Sequence, residues 1–212
     1  MIKMIEHNKE HRILFQGDSI TYANRIKMIK SSLGVGYCSM IGKYIKNNYG
    51  EKITCLNKGI YGDTTTRLKK RWIRDSIEIN PDILSILIGV NDCWRRYDRG
   101  IVTTIEQFTE NYDYILKQSV ESNENLSLVI LSPFLIPLSR RQEEWFEDLN
   151  PKIKVVEELA NKYNATYIPL NDIFKEIVSN GVNARTLTRD GVHPTQKGHK
   201  IIAKTWIKAM DI

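Results

Sequence analysis

The chain carries a hydroxyl in Gly17-Asp18-Ser19-Ile20-Thr21 and a glycine in Ile60-Tyr61-Gly62-Asp63-Thr64. It has a neutral amide in Gly89-Val90-Asn91-Asp92, and an acid three residues before a histidine in Asp190-Gly191-Val192-His193-Pro194. Hydrolysis of an ester by a serine needs these types: a nucleophile, an imidazole to take its proton, a carboxylate to fix the imidazole tautomer, and donors aimed at the developing oxyanion. Ser19 is the candidate nucleophile, His193 the base and Asp190 its orienting acid. The backbone N–H groups of Ser19 and Gly62 and the side-chain amide of Asn91 are the candidate oxyanion donors, because glycine lets the backbone approach closely and an amide donates without adding charge.

Those segments work together only if the fold brings them to one rim. Short apolar runs at 12–16, 52–57, 82–88, 126–132 and 165–170 alternate with stretches of helical period, the pattern of βαβ units in a parallel sheet covered by helices on both faces. The run 82–88 lacks polar alternation apart from Ser85, as expected of a central strand buried on both sides. Thr104 with Gln107 predicts a capped helix. Asn150-Pro151 predicts the start of another, and Thr195 caps a last helix with Ile201, Ile202, Thr205, Trp206 and Ala209 on its inner face. Ligands of such sheets bind outside the carboxyl ends of the strands, and the first three runs end in the serine, glycine and asparagine segments. No repeat, low-complexity tract or linker divides residues 1–212, which predicts one domain.

Each residue also has a plainer reading. A serine after a strand commonly caps a helix, and a lone histidine before a proline commonly lies in an exposed loop. The four segments taken together favour chemistry. Asp18 and Asp92 are read as loop-fixing acids that bond backbone groups, and Asp63 and Thr64 as cap residues. Arg67, Lys69, Lys70, Arg71 and Arg74 around Trp72 are read as a solvated helix face, since the charges fall on several sides of the turn. Tyr61, Trp94 and Arg95 are candidate substrate-binding walls. His7, His11 and His199 have no evident acid partner.

The four ordered segments resemble the SGNH hydrolases, also called GDSL esterases and lipases. Gly17-Asp18-Ser19 is similar to the nucleophile block, Gly62 to the second-block glycine, Gly89-Val90-Asn91-Asp92 to the asparagine block and Asp190 with His193 to the closing block. The resemblance implies a flavodoxin-like three-layer α/β/α sandwich on a five-stranded parallel sheet, and serine hydrolysis of esters or thioesters with no metal and no organic cofactor. The flanks Gln16-Gly17-Asp18-Ser19-Ile20-Thr21, Asn57-Lys58-Gly59-Ile60 and Asn91-Asp92-Cys93-Trp94-Arg95 resemble the branch of acetylxylan esterases and other carbohydrate acetylesterases. That implies a small acyl ester, an acetylated sugar, as substrate, and a homo-oligomer. Tyr22 and Asn24 stand where that branch often has Asp and Gly, and Tyr61 where it often has Ser. A lysophospholipase or acyl-thioesterase is the alternative within the family, and a phosphate- or flavin-binding module the alternative outside it.

Composition narrows the field. Among 212 residues, 42% are hydrophobic and 26% charged, as in an ordinary folded domain. The net charge of +6 comes from 31 basic residues spread beside 25 acidic ones, so no concentrated basic patch argues for nucleic acid. No run approaches the roughly 20 apolar residues that span a bilayer, and residues 1–12 lack the apolar core of an export signal. The expectation is a cytoplasmic protein without a membrane partner. Cys38, Cys55 and Cys93 lack the paired short spacings of a zinc or dithiol site, and are expected as reduced, packed thiols.

Overall fold

The computed structural model describes residues 10–212; His7 and most of the segment read for an export signal lie outside it. The chain runs β1 (His11–Gly17), α1 (Ser19–Tyr22), α2 (Tyr37–Tyr49), β2 (Ile53–Asn57), α3 (Thr65–Lys70), a π-helical turn (Ile73–Ile77), β3 (Ile83–Leu87) and α4 (Val90–Arg99). It continues through α5 (Ile105–Ser122), β4 (Ser127–Leu131), α6 (Arg140–Glu143), α7 (Phe146–Lys162), β5 (Thr166–Ile168), α8 (Leu170–Ser179), a 3-10 turn (Ala184–Thr186) and α9 (Gln196–Ala209). The five strands pair in parallel in the order β2-β1-β3-β4-β5. All five predicted runs become strands.

Side chains alternate across each strand, and the two cores follow from that alternation. Ile13, Phe15, Ile83, Leu87, Val129 and Leu131 face α2, α8 and α9, meeting Ile41, Phe174 and Trp206. Leu14, Leu84, Ile86, Leu128 and Ile130 face α3, α5 and α7, meeting Leu68, Tyr112 and Val156. Complete burial of such a side chain stabilises the fold by about 1.5–3 kcal/mol. Ser85, the polar break in the central run, accepts the Trp206 indole N–H at 3.0 Å. An indole buried beside Phe15 needs such an acceptor.

Thr104 caps α5 by accepting from the Gln107 N–H, and Thr195 caps α9 by accepting from that of Gly198. Ile202 and Trp206 of α9 are buried as expected, but the face is centred on them with Ala203, leaving Ile201, Thr205 and Ala209 only partly covered. Two expectations need correction. α7 begins at Phe146, so Pro151 lies inside the helix rather than opening it. The earlier turns are kept by packing, with Trp145 against Trp94 and Tyr97, and Lys152 paired to Asp148 at 2.6 Å. Arg71 is not on a solvated face: it is buried and bonded to Asp63, Asp75 and Gln16.

Cys38 and Cys93 are buried, Cys55 is partly so, and all three are free thiols. Among the described residues no helix is long and apolar enough to cross a membrane.

Candidate active site

β1 and β3 are neighbours whose chain connections leave toward opposite edges of the sheet, so a crevice opens at their carboxyl ends. Ser19 begins α1 directly after β1, and Asn91 lies in the first turn of α4 directly after β3. The turn into α1 is tight. A Cβ on Gly17 would stand 2.2 Å from the Leu87 carbonyl oxygen and 2.4 Å from Thr21 Oγ1, so only glycine lets the chain leave the sheet there. Asp18 caps α1 by accepting from the Ile20 N–H at 2.9 Å, the loop-fixing role read from sequence.

Ser19 Oγ lies 2.9 Å from His193 Nε2, and His193 Nδ1 lies 2.6 Å from Asp190 Oδ2. Asp190 Oδ1 also accepts the backbone N–H groups of Val192 at 3.0 Å and His193 at 2.7 Å, fixing the acid and the imidazole in one turn. That turn is anchored by Gln142, which donates to the Asp190 carbonyl at 2.6 Å, and by Gly191, whose carbonyl accepts from the Ile136 N–H at 2.8 Å. Burial alone would raise the Asp190 carboxyl; the His193 imidazole and the two backbone donors override it and hold the group at about 2. An ionised Asp190 keeps the Nδ1 proton and leaves the Nε2 lone pair toward the serine.

Asn91 is 1% exposed and fixed at both ends of its amide. Nδ2 donates to the Asp63 carbonyl at 3.0 Å and Oδ1 accepts from Arg95 at 3.2 Å, which leaves the second amide proton without a described acceptor. Arg71 holds the Asp63 side chain at 2.7 Å and reaches Gln16 of β1 at 3.0 Å, so the amide is braced through the sheet. Gly62 has φ +72, the left-handed conformation that side chains disfavour, although a Cβ there would meet only the Arg95 and Arg67 guanidinium groups, at 3.8 and 4.0 Å. Asp92 accepts the Thr65 N–H and hydroxyl, joining the second and third loops; burial raises its carboxyl to about 6.

Of the predicted wall residues, Tyr61 stacks on His193 with ring centroids 6.1 Å apart and planes 7° apart. Trp94 meets the same imidazole edge-on at 5.7 Å. Arg95 bonds Asn91 and Asp98 and lies over the Trp94 ring. A cleft of about 310 Å³ opens at Ser19, lined among others by Tyr22, Asn24, Tyr61, Arg189, His193 and His199. Sequence reasoning missed Arg189 and His199. His199 lies in the first turn of α9, its Nδ1 accepting from the Tyr37 N–H at 3.2 Å, and burial followed by the charge of Arg189 lowers it to about 4. The Thr195 cap, which fixes where α9 begins, was the signal for its position. Asn57 was also missed as a brace: it donates to the carbonyls of Thr21 at 2.6 Å and Leu33 at 2.9 Å, and accepts from the Gly59 N–H.

Burial pushes Asp18 up to about 7, against the opposing Ile20 N–H, and its Oδ2 has no described partner. An unfolded aspartate titrates near 3.9, so the folded chain binds the extra proton between about pH 4 and 7 and loses stability as pH rises through that window. The melting temperature of Asp18→Asn is therefore expected to fall less over this window than that of the wild type. Parallel curves would overturn a protonated Asp18.

Residues 15–201 match the model of the GDSL-like lipase/acylhydrolase family. An acetylxylan esterase of Geobacillus stearothermophilus is 31% identical over 204 residues, covering 93% of this chain and 92% of that enzyme. Among solved structures, an acetylxylan esterase from the same organism superposes with TM-score 0.87 at 27% identity, covering 98% of this chain and 97% of the other. A Parabacteroides merdae protein that carries the GDSL-like lipase name superposes with TM-score 0.91 at 29% identity over 98% and 99% of the two chains. In the Geobacillus enzyme a tryptophan directly precedes the aspartate whose replacement by alanine gives a catalytic mutant. Here Arg189 directly precedes Asp190.

Proposed function

The chain belongs to the GDSL-like lipase/acylhydrolase family and is a carboxylic ester hydrolase, and from that premise we propose that it removes acetyl groups from carbohydrates such as xylo-oligosaccharides. The observation that carries the proposal is the continuous Ser19–His193–Asp190 hydrogen-bond chain, at 2.9 and 2.6 Å, on the rim that also holds Asn91.

Ser19 Oγ attacks the acyl carbon while its proton passes to His193 Nε2. The resulting oxyanion takes the Ser19 and Gly62 backbone N–H groups and the second amide proton of Asn91. His193 then gives the proton to the leaving alcohol, the carbon–oxygen bond breaks, and the acyl group remains on Ser19. Water attacks the acyl-enzyme with His193 as base, releasing the acid and restoring the serine. Asp190 stabilises the imidazolium through both additions. The acetyl-carbohydrate assignment is supported by the similarity to the Geobacillus acetylxylan esterase.

Hydrolysis of p-nitrophenyl acetate, butyrate and octanoate tests the acyl assignment, and acetate release from acetylated xylo-oligosaccharides tests the alcohol. The octanoate is expected to lose at least about tenfold in kcat/KM against the acetate. A rate that holds or rises with chain length, as a pocket gaining about 0.8 kcal/mol per buried methylene would give, would replace the acetyl reading by a lysophospholipase or acyl-thioesterase.

A further inference from the structure

In the proposed reaction His193 protonates the leaving oxygen, so the alcohol half of the ester must lie on the His193 side of Ser19. The cleft at Ser19 is on that side: Asp190, His193, Pro194, Gln196 and His199 line it, and Gly62 and Asn91 do not. Its charge is one-sided. The single carboxylate among its described lining residues is Asp190, whose two oxygens are engaged by His193 and the backbone. Arg189 enters from the same turn with an exposed side chain, and no described residue hydrogen-bonds or ion-pairs with its guanidinium. Tyr22 lines the same cleft, and Arg25 at 5.7 Å and Lys27 at 5.8 Å lie over its ring, which adds positive charge behind that lining residue. His199, also in the lining, is pushed down to about 4 by burial and adds no charge at physiological pH.

We infer that the leaving alcohol carries an anionic group, a carboxylate or a phosphate, which the Arg189 guanidinium receives at the mouth of the cleft. Both anions present paired oxygens that a guanidinium fork grips in bidentate fashion. The position gives the choice of residue its meaning. A tryptophan before the acid, as in the Geobacillus enzyme, offers an apolar face, whereas Arg189 offers a fixed charge and five donors. This deepens the proposed carbohydrate acetylesterase reading and rests on it.

The test compares monoacetates of methyl xyloside, methyl glucoside, methyl glucuronide and methyl glucoside 6-phosphate. The xyloside, glucoside and glucuronide differ at C5 by hydrogen, hydroxymethyl or carboxylate, and the phosphate distinguishes the second source of negative charge. The wild type is expected to prefer at least one anionic ester over the neutral pair by about tenfold in kcat/KM. The preference should shrink at high salt, where exposed charges are screened. In Arg189→Ala the anionic-to-neutral ratio should fall to near one, in Arg189→Glu it should invert, and in Arg189→Lys it should be partly kept. Wild-type hydrolysis of all four esters at similar rates, or a preference unchanged in Arg189→Ala, would overturn this inference and leave the esterase reading standing. Failure of the wild type to release acetate from any of the four, or from p-nitrophenyl acetate, would overturn both.

Discussion

Ser19→Ala is expected to lower turnover of p-nitrophenyl acetate on the order of 10⁴- to 10⁶-fold, the loss that follows removal of a nucleophile acting as one unit with its base. The fold should be nearly indifferent. The described partner of Ser19 Oγ is His193, and α1 is capped by Asp18 rather than by the serine hydroxyl. A stability change within about 0.5 kcal/mol, as for a substitution that breaks no cap and opens no cavity, separates loss of chemistry from loss of structure. Turnover and a melting curve on the same preparation decide it. Turnover above about a tenth of wild type in a folded variant would place the nucleophile elsewhere.

Asp190→Asn is expected to cost on the order of 10⁴-fold in kcat, and the reason is specific to this turn. The oxygen at the Oδ1 position accepts two backbone N–H groups, from Val192 and His193. An asparagine must put its carbonyl oxygen there or abandon both bonds, and so must turn its NH2 toward His193 Nδ1. A donor at Nδ1 favours the imidazole tautomer protonated at Nε2, which faces Ser19 as a donor and cannot accept its proton. KM should change far less than kcat, because the substitution leaves the cleft walls in place. Kinetics and the ¹⁵N chemical shifts of the His193 ring test the two halves of the argument. A wild-type tautomer in a slow variant would mean that Asp190 acts through its charge alone.

Strand positions and the places of the candidate site residues were legible for a common reason. A strand buried on both faces must be continuously apolar, so its carboxyl end is marked by the first polar, glycine-bearing residues, and Ser19 and Asn91 stand at those ends. The misread positions are ones where tertiary partners overrule local pattern. Arg71 belongs to a run of basic residues that looks solvated in one dimension; Asp63, Gln16 and Asp75, whose carboxylates and amide oxygen pull it inward, are far apart or unremarkable in sequence. Pro151 is tolerated inside α7 by the packing of the preceding turns, which local rules cannot weigh. Arg189 and His199 reach the cleft through the folding of a loop and the first turn of α9 against residues 22–35. That segment has no apolar period to read, and Val35 is tied down by the Ala23 carbonyl and by Gln196.

The two sides of Ser19 are built differently. Asn91 is braced by Arg95, Asp63, Arg71 and Gln16, so a change at any of them propagates into the sheet. The opposite wall is made of Tyr22, Asn24, Val35 and Arg189, residues in or beside irregular segments, of which Asn24, Val35 and Arg189 are exposed. Mutational drift is therefore channelled. Divergent copies of this chain can trade one leaving group for another by exchanging that wall, while the acyl-transfer half is inherited intact.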